Sequence, residues 1–96
     1  MSAYWIAHVT VTDPDAYAGY QALAPAAFTA HGARFLARGG PSEVLEGPVL
    51  DRHVVIEFPT LADARACYDS AEYRAARARR EGAATVHVVI VEGLPG

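Results

Sequence analysis

The chain has 96 residues, 52% of them hydrophobic and 20% charged, with a net charge of −3. That apolar content excludes intrinsic disorder, and the acidic balance argues against a dedicated nucleic-acid binder. The longest aliphatic run, Val88 to Val91, falls far short of the ~20 residues that cross a bilayer, so no membrane partner is expected. A single domain over residues 1–96 is expected, because chains divide into several cores only beyond roughly 250 residues. No basic segment precedes the first apolar stretch, so no secretory leader is expected. The single cysteine, Cys67, fits a reducing compartment, and together these features describe a cytoplasmic protein. All eight basic residues are arginine. GC-rich coding accounts for most of that bias, with room for one or two guanidinium groups that bind a carboxylate bidentately.

Residues 4–11 are short and rich in β-branched and aromatic side chains, which predicts a strand. Asp13 caps the helix that follows and Pro14 suits its first position. Tyr17, Tyr20, Ala24, Phe28 and His31 then recur at helical spacing, Pro25 predicts a kink or break near Leu23 and Ala24, and Gly32 ends the helix. Residues 34–38 read as a second strand, interrupted at Gly39-Gly40-Pro41 and resuming over residues 43–46 after a bulge. Residues 53–58 form a third strand, central by its run of β-branched residues. Thr60 and Asp63 resemble a capping box for a helix over 61–68, Ser70 caps a second short helix over 71–81, and residues 85–92 form the last strand. The order β-α-β-β-α-β is the ferredoxin-like arrangement. It is an α+β fold whose four-stranded antiparallel sheet carries its helices on one face and its first and third strands in the middle.

Alternation gives the sheet two unlike faces. Trp5, Ala7, Val9, Val11, Val54, Ile56, Phe58, Val86, Val88 and Ile90 form a wholly apolar face beneath the helices. The other face is mixed: Tyr4, Ile6, His8, Thr10, His53, Val55, Glu57, Thr85, His87, Val89 and Val91. Left in water it would be a large apolar patch, which predicts a homodimer that pairs two sheets face to face.

The stretches Tyr4-Trp5-Ile6-Ala7, Arg38-Gly39-Gly40, Glu43-Val44-Leu45-Glu46-Gly47, Val54-Val55-Ile56-Glu57-Phe58-Pro59 and Cys67-Tyr68-Asp69-Ser70-Ala71-Glu72-Tyr73 resemble the bacterial domain of unknown function 1330. The resemblance runs from Tyr4 to Gly93. It implies the dimeric α+β-barrel superfamily, which includes cofactor-independent monooxygenases, haem-degrading enzymes, muconolactone isomerases and chlorite dismutases. It carries no settled reaction.

Two groups of residues are candidates for function. His8, Glu57 and His87 are polar groups on strands, and an antiparallel register sets His8 beside either Glu57 or His87. A carboxylate bonded to an imidazole supports proton abstraction, and Arg38 at the end of the second strand suits a substrate carboxylate or enolate. The plainer reading is that these groups satisfy one another inside an interface. The second group is aromatic: Tyr17, Tyr20, Phe28, Tyr68 and Tyr73 with Trp5 below, either core or the lining of a pocket for an aromatic ligand between helices and sheet. No metal is expected, since His8, His53, His87 and Glu57 lack tight ligand spacing, and neither His31 nor His87 is a haem signature. No cofactor is expected. Arg74, Arg77, Arg79 and Arg80 read as a solvated face of the short helix. Cys67 reads as a small buried hydrophobe. The sequence supports a dimer that binds or transforms a small hydrophobic or aromatic carbonyl compound without a cofactor, by monooxygenase, isomerase or lyase chemistry. The alternative is a non-catalytic ligand-binding or dimeric assembly module.

Overall fold

The computed structural model describes residues 1–95, ordered as β1 (Ala3–Val11), α1 (Pro14–Ala30), β2 (Arg34–Arg38), β3 (Arg52–Phe58), α2 (Leu61–Asp69), α3 (Ala71–Arg79) and β4 (Ala84–Glu92). The strands form one antiparallel sheet in the order β2-β3-β1-β4, so the first and third strands are central. The arrangement is ferredoxin-like, with the predicted second helical segment present as α3. The Cα extents of 38 × 35 × 17 Å describe a thin slab, because helices cover only one face of the sheet.

Local chemistry sets the helix ends. The Asp13 carboxylate accepts from the Ala16 N–H at 3.2 Å, with Pro14 following in the first turn. Thr60 Oγ1 accepts from the Asp63 N–H and donates to the Asp63 carboxylate. Ser70 both ends α2 and starts α3: its hydroxyl donates to the Cys67 carbonyl at 2.7 Å and accepts from the Tyr73 N–H at 3.1 Å. That double role explains how two short helices meet at one residue.

The expected break of the first helix and the expected return of a strand at residues 43–46 are both corrected. Helix α1 runs unbroken from Pro14 to Ala30 with Pro25 inside it. Loss of one backbone donor is tolerated because Tyr17, Ala24, Ala27 and Phe28 still pack along one buried stripe. Residues 43–46 do not resume a strand. β2 lies at the sheet edge, β3 is already bonded on both sides, and Leu45 is left 86% exposed with no strand to pair against. The bulge exists, but it sits inside β2: Phe35 pairs with Ile56 and Ala37 with Val55, leaving Leu36 as the extra residue.

The core lies between the helices and the predicted apolar face. Trp5, Val9, Ile56 and Phe58 are buried beneath Ala24, Phe28, Cys67, Tyr73 and Ala76. Trp5 is its hub, with ring centroids 5.1 Å from Phe28, 6.0 Å from Phe58, 5.7 Å from Tyr68 and 5.1 Å from Tyr73. The opposite face stays open, with Val89 54% and Val91 46% exposed. Among the described residues no helix is long and apolar enough to cross a membrane.

Candidate functional site

A cleft of about 370 Å³ opens between α1, the end of α3 and the helix-side face of the sheet. It lies at the small end of the roughly 300–1,000 Å³ that small-molecule pockets occupy. Four of the six aromatic candidates line it: Trp5, Tyr17, Tyr20 and Phe28. Tyr73 is fully buried behind it and reaches it through Tyr20, the two hydroxyls lying 2.8 Å apart. Tyr68 faces a neighbouring depression instead, with Arg65 and Ile90.

Three guanidinium groups enter this aromatic space: Arg38, Arg52 and Arg80. The bulge at Leu36 delivers the first. In an unbroken register Arg38 would pair opposite His53 and point to the open face, but the extra residue sets it opposite Val54, on the helix side. There it lies over the Phe35 ring at 4.2 Å. Arg52 shares strand parity with Val54, Ile56 and Phe58, so it faces the same way. Gly39 makes room for it: a β-carbon at that position would overlap the Arg52 guanidinium, and its φ of +72° is a conformation glycine adopts without strain. Arg52 Nε is buried with no hydrogen-bond partner among the described residues, a state that costs about 1–3 kcal/mol.

Arg80 corrects the reading of a solvated basic face. It is only 9% exposed, because Tyr73, Ala76 and Arg80 fall at i, i+3 and i+7, the stripe of α3 that faces inward. Its guanidinium lies 4.5 Å from the Tyr20 ring centre and 5.9 Å from that of Tyr73. Arg77 keeps to the surface side, over Tyr68 at 4.5 Å. The ion pairs among the described residues join Arg34 to Glu57 and Arg65 to Asp69, so none of the three cleft arginines has a carboxylate partner. Burial, reinforced by Tyr73, pushes the Tyr20 phenol well above its ordinary 10.0, and burial raises Tyr73 likewise. Both hydroxyls therefore stay protonated and serve as hydrogen-bonding groups rather than bases. The cleft lining contains no histidine, aspartate or glutamate.

The register sets His8 opposite His87, one of the two expected pairings, and not beside Glu57. His8 is set between His53 and His87, and its Nδ1 shares a 2.8 Å hydrogen bond with Nδ1 of His53. Glu57 stands opposite Tyr4, four positions and about 13 Å along the strand, and pairs with Arg34 at 2.7 Å. Both His8 and Glu57 lie on the open face, while Arg38 lies on the other. Among the described residues no cluster of three or more histidine, cysteine or acidic side chains has a geometry that holds a metal ion. His31 is occupied as a helix cap, its Nδ1 donating to the Ala27 carbonyl at 2.9 Å. Cys67 is fully buried and donates weakly to the same carbonyl; burial pushes its thiol up to about 11.

The sequence matches the family described as Domain of unknown function (DUF1330) over residues 2–94, and the chain belongs to that family. No curated protein matches it in sequence. Among solved structures it is similar to RPA0582, a protein of unknown function from Rhodopseudomonas palustris, at a TM-score of 0.78 and 20% identity, covering 99% of this chain and 84% of that one. A dimeric ferredoxin-like protein of unknown function from Bacteroides fragilis aligns at 0.65 and 13% identity, covering 96% of both chains. SnoaB, a cofactor-independent oxygenase from Streptomyces nogalater, aligns at 0.65 and 12% identity, covering 99% of this chain and 95% of that one. At these identities the likeness shows the ferredoxin-like fold.

Proposed function

We propose that this member of the DUF1330 family binds a compact hydrophobic or aromatic carbonyl compound in its helix–sheet cleft, and holds that compound as a carboxylate or enolate. One observation carries the reading: three guanidinium groups without carboxylate partners, Arg38, Arg52 and Arg80, enter a cleft walled by aromatic rings. Apolar walls supply affinity by removing ligand surface from water. The arginines supply charge complementarity, which counts for most at Arg80, the one of the three that is buried.

The chemistry of the lining limits what the cleft does to such a ligand. Without an imidazole or carboxylate beside it, the cleft has no ordinary general base. Its means of action is electrostatic: preorganised donors stabilise a carboxylate, or an enolate whose proton has passed to solvent water. The fold shared with SnoaB is in keeping with that chemistry. The protein acts as a homodimer, pairing its open sheet faces through Ile6, Val55, Val89 and Val91, as suits a fold whose neighbours include dimeric proteins.

Calorimetric titration with 2-naphthoate and with neutral 2-naphthalenemethanol tests the binding reading. The anion is expected to bind about tenfold or more tightly, the ratio worth ~1.4 kcal/mol, with the preference lost in Arg52→Met. Equal affinities, or no saturable binding of either compound, would overturn it.

A further inference from the structure

The three arginines reach the cleft from different elements. Arg38 and Arg52 come from adjacent strands, β2 and β3, at one side of the sheet. Arg80 descends from the end of α3, and the depressions it borders outside the cleft are lined by Val86 and Val88 of β4, at the other side. Strand β1 runs between the two sides and contributes Trp5, Ala7 and Val9, an apolar floor on which the planar Trp5 ring suits a flat ligand. Two strand spacings separate β3 from β4, a lateral distance of about 10 Å.

The two ends also differ chemically. At the β2–β3 end two guanidinium groups without carboxylate partners stand on neighbouring strands, an arrangement suited to a full negative charge. At the α3 end Arg80 lies over the face of the Tyr20 ring, whose hydroxyl is bonded to that of Tyr73. One of these two phenols donates to the other. Tyr20 therefore offers a ligand either a free proton or a free lone pair, which complements a hydroxyl or a carbonyl oxygen.

We infer that the ligand is a flat compound with two oxygen functions at opposite ends, a carboxylate held by Arg38 and Arg52 and a hydroxyl or carbonyl oxygen held by Arg80 and Tyr20. The inference rests on the cleft being an anion-binding site and names the class of compound it selects. A ligand with both oxygens on one side satisfies one end and leaves the other without an acceptor, at a cost in affinity.

Positional isomers separate this from simple anion binding on the unaltered protein. In 6-hydroxy-2-naphthoate the oxygen functions stand at opposite ends of the ring system, and in 3-hydroxy-2-naphthoate they are neighbours; charge and size are the same. Calorimetry is expected to show the 6-hydroxy isomer binding about tenfold more tightly than the 3-hydroxy isomer and than 2-naphthoate. Arg80→Met is expected to bring all three to similar affinity. Equal affinity of the two isomers for the unaltered protein would overturn the two-ended ligand. The anion-binding reading would survive that result so long as both isomers outbind 2-naphthalenemethanol. No saturable binding by any of these compounds at millimolar concentration would overturn both.

Discussion

Replacing Arg80 by methionine separates a residue kept for binding from one kept for stability. Arg80 is 9% exposed and lacks a carboxylate, so its charge is held away from water with only the faces of Tyr20 and Tyr73 to compensate. Those two contacts are worth about 1–2 kcal/mol together at partly desolvated sites. The desolvation of a guanidinium costs several kcal/mol when complete, and less here because the cleft is open to solvent. Methionine keeps most of the aliphatic stem that packs on the rings and removes the charge. The unfolding free energy of Arg80→Met, from urea denaturation, is therefore expected to stay within about 1 kcal/mol of the parent or to rise. Affinity for 6-hydroxy-2-naphthoate is expected to fall at least about tenfold. A loss of more than about 2 kcal/mol in stability would make Arg80 a structural residue and refute the reasoning, as would an unchanged affinity.

Gly39→Ala is expected to lower stability by about 1–2 kcal/mol through its left-handed backbone and to weaken 2-naphthoate binding by displacing the Arg52 guanidinium. Gly40→Ala, with nothing within 4 Å of the new carbon, changes neither. Trp5→Ala removes the ring that four other aromatics contact, and is expected to cost about 3–5 kcal/mol in urea denaturation. Val89→Asp places a charge on the open sheet face and is expected to convert a species of twice 10.2 kDa to the single chain in sedimentation; a wild-type protein sedimenting as one chain would refute the sheet-face dimer. The alkaline limb of stability follows from Cys67, Tyr20 and Tyr73. Folding raises the Cys67 thiol from 9.0 to about 11 and raises both phenols, so the folded state keeps protons that the unfolded state releases. Their contribution is whole below about pH 9 and is lost as pH climbs through 11. The urea midpoint should be level from pH 7 to 8.5 and fall by pH 10.5, and a midpoint unchanged at pH 10.5 would contradict it.

Most of the fold was legible because each element carried its own signal. Asp13, Thr60 and Ser70 cap helices as their side-chain chemistry dictates, and strict alternation in β1, β3 and β4 separated an apolar face from a mixed one. The cleft's aromatic wall was legible in the helical spacing of Tyr17, Tyr20 and Phe28. Its arginines were not, for three separate reasons. Arg38 changes face through a one-residue bulge at Leu36, and nothing in a five-residue strand announces where such a bulge falls. Arg52 belongs to the inward parity of β3, but it was hidden because the strand read as beginning one residue later. Arg80 followed the buried stripe of Tyr73 and Ala76, a pattern masked by three other arginines in the same short helix. The pairing of His8 with His53 rather than Glu57 depended on register, which alternation alone leaves free by steps of two.

The placement of the ligand itself is the most direct test of the account. A crystal structure of the protein with 6-hydroxy-2-naphthoate should show the ring system between Tyr17, Tyr20 and the sheet. Its carboxylate should lie within hydrogen-bond distance of the Arg38 and Arg52 guanidinium groups, and its hydroxyl within reach of Arg80. Density for the ligand on the open face beside His8 and His53, with the cleft arginines untouched, would contradict it.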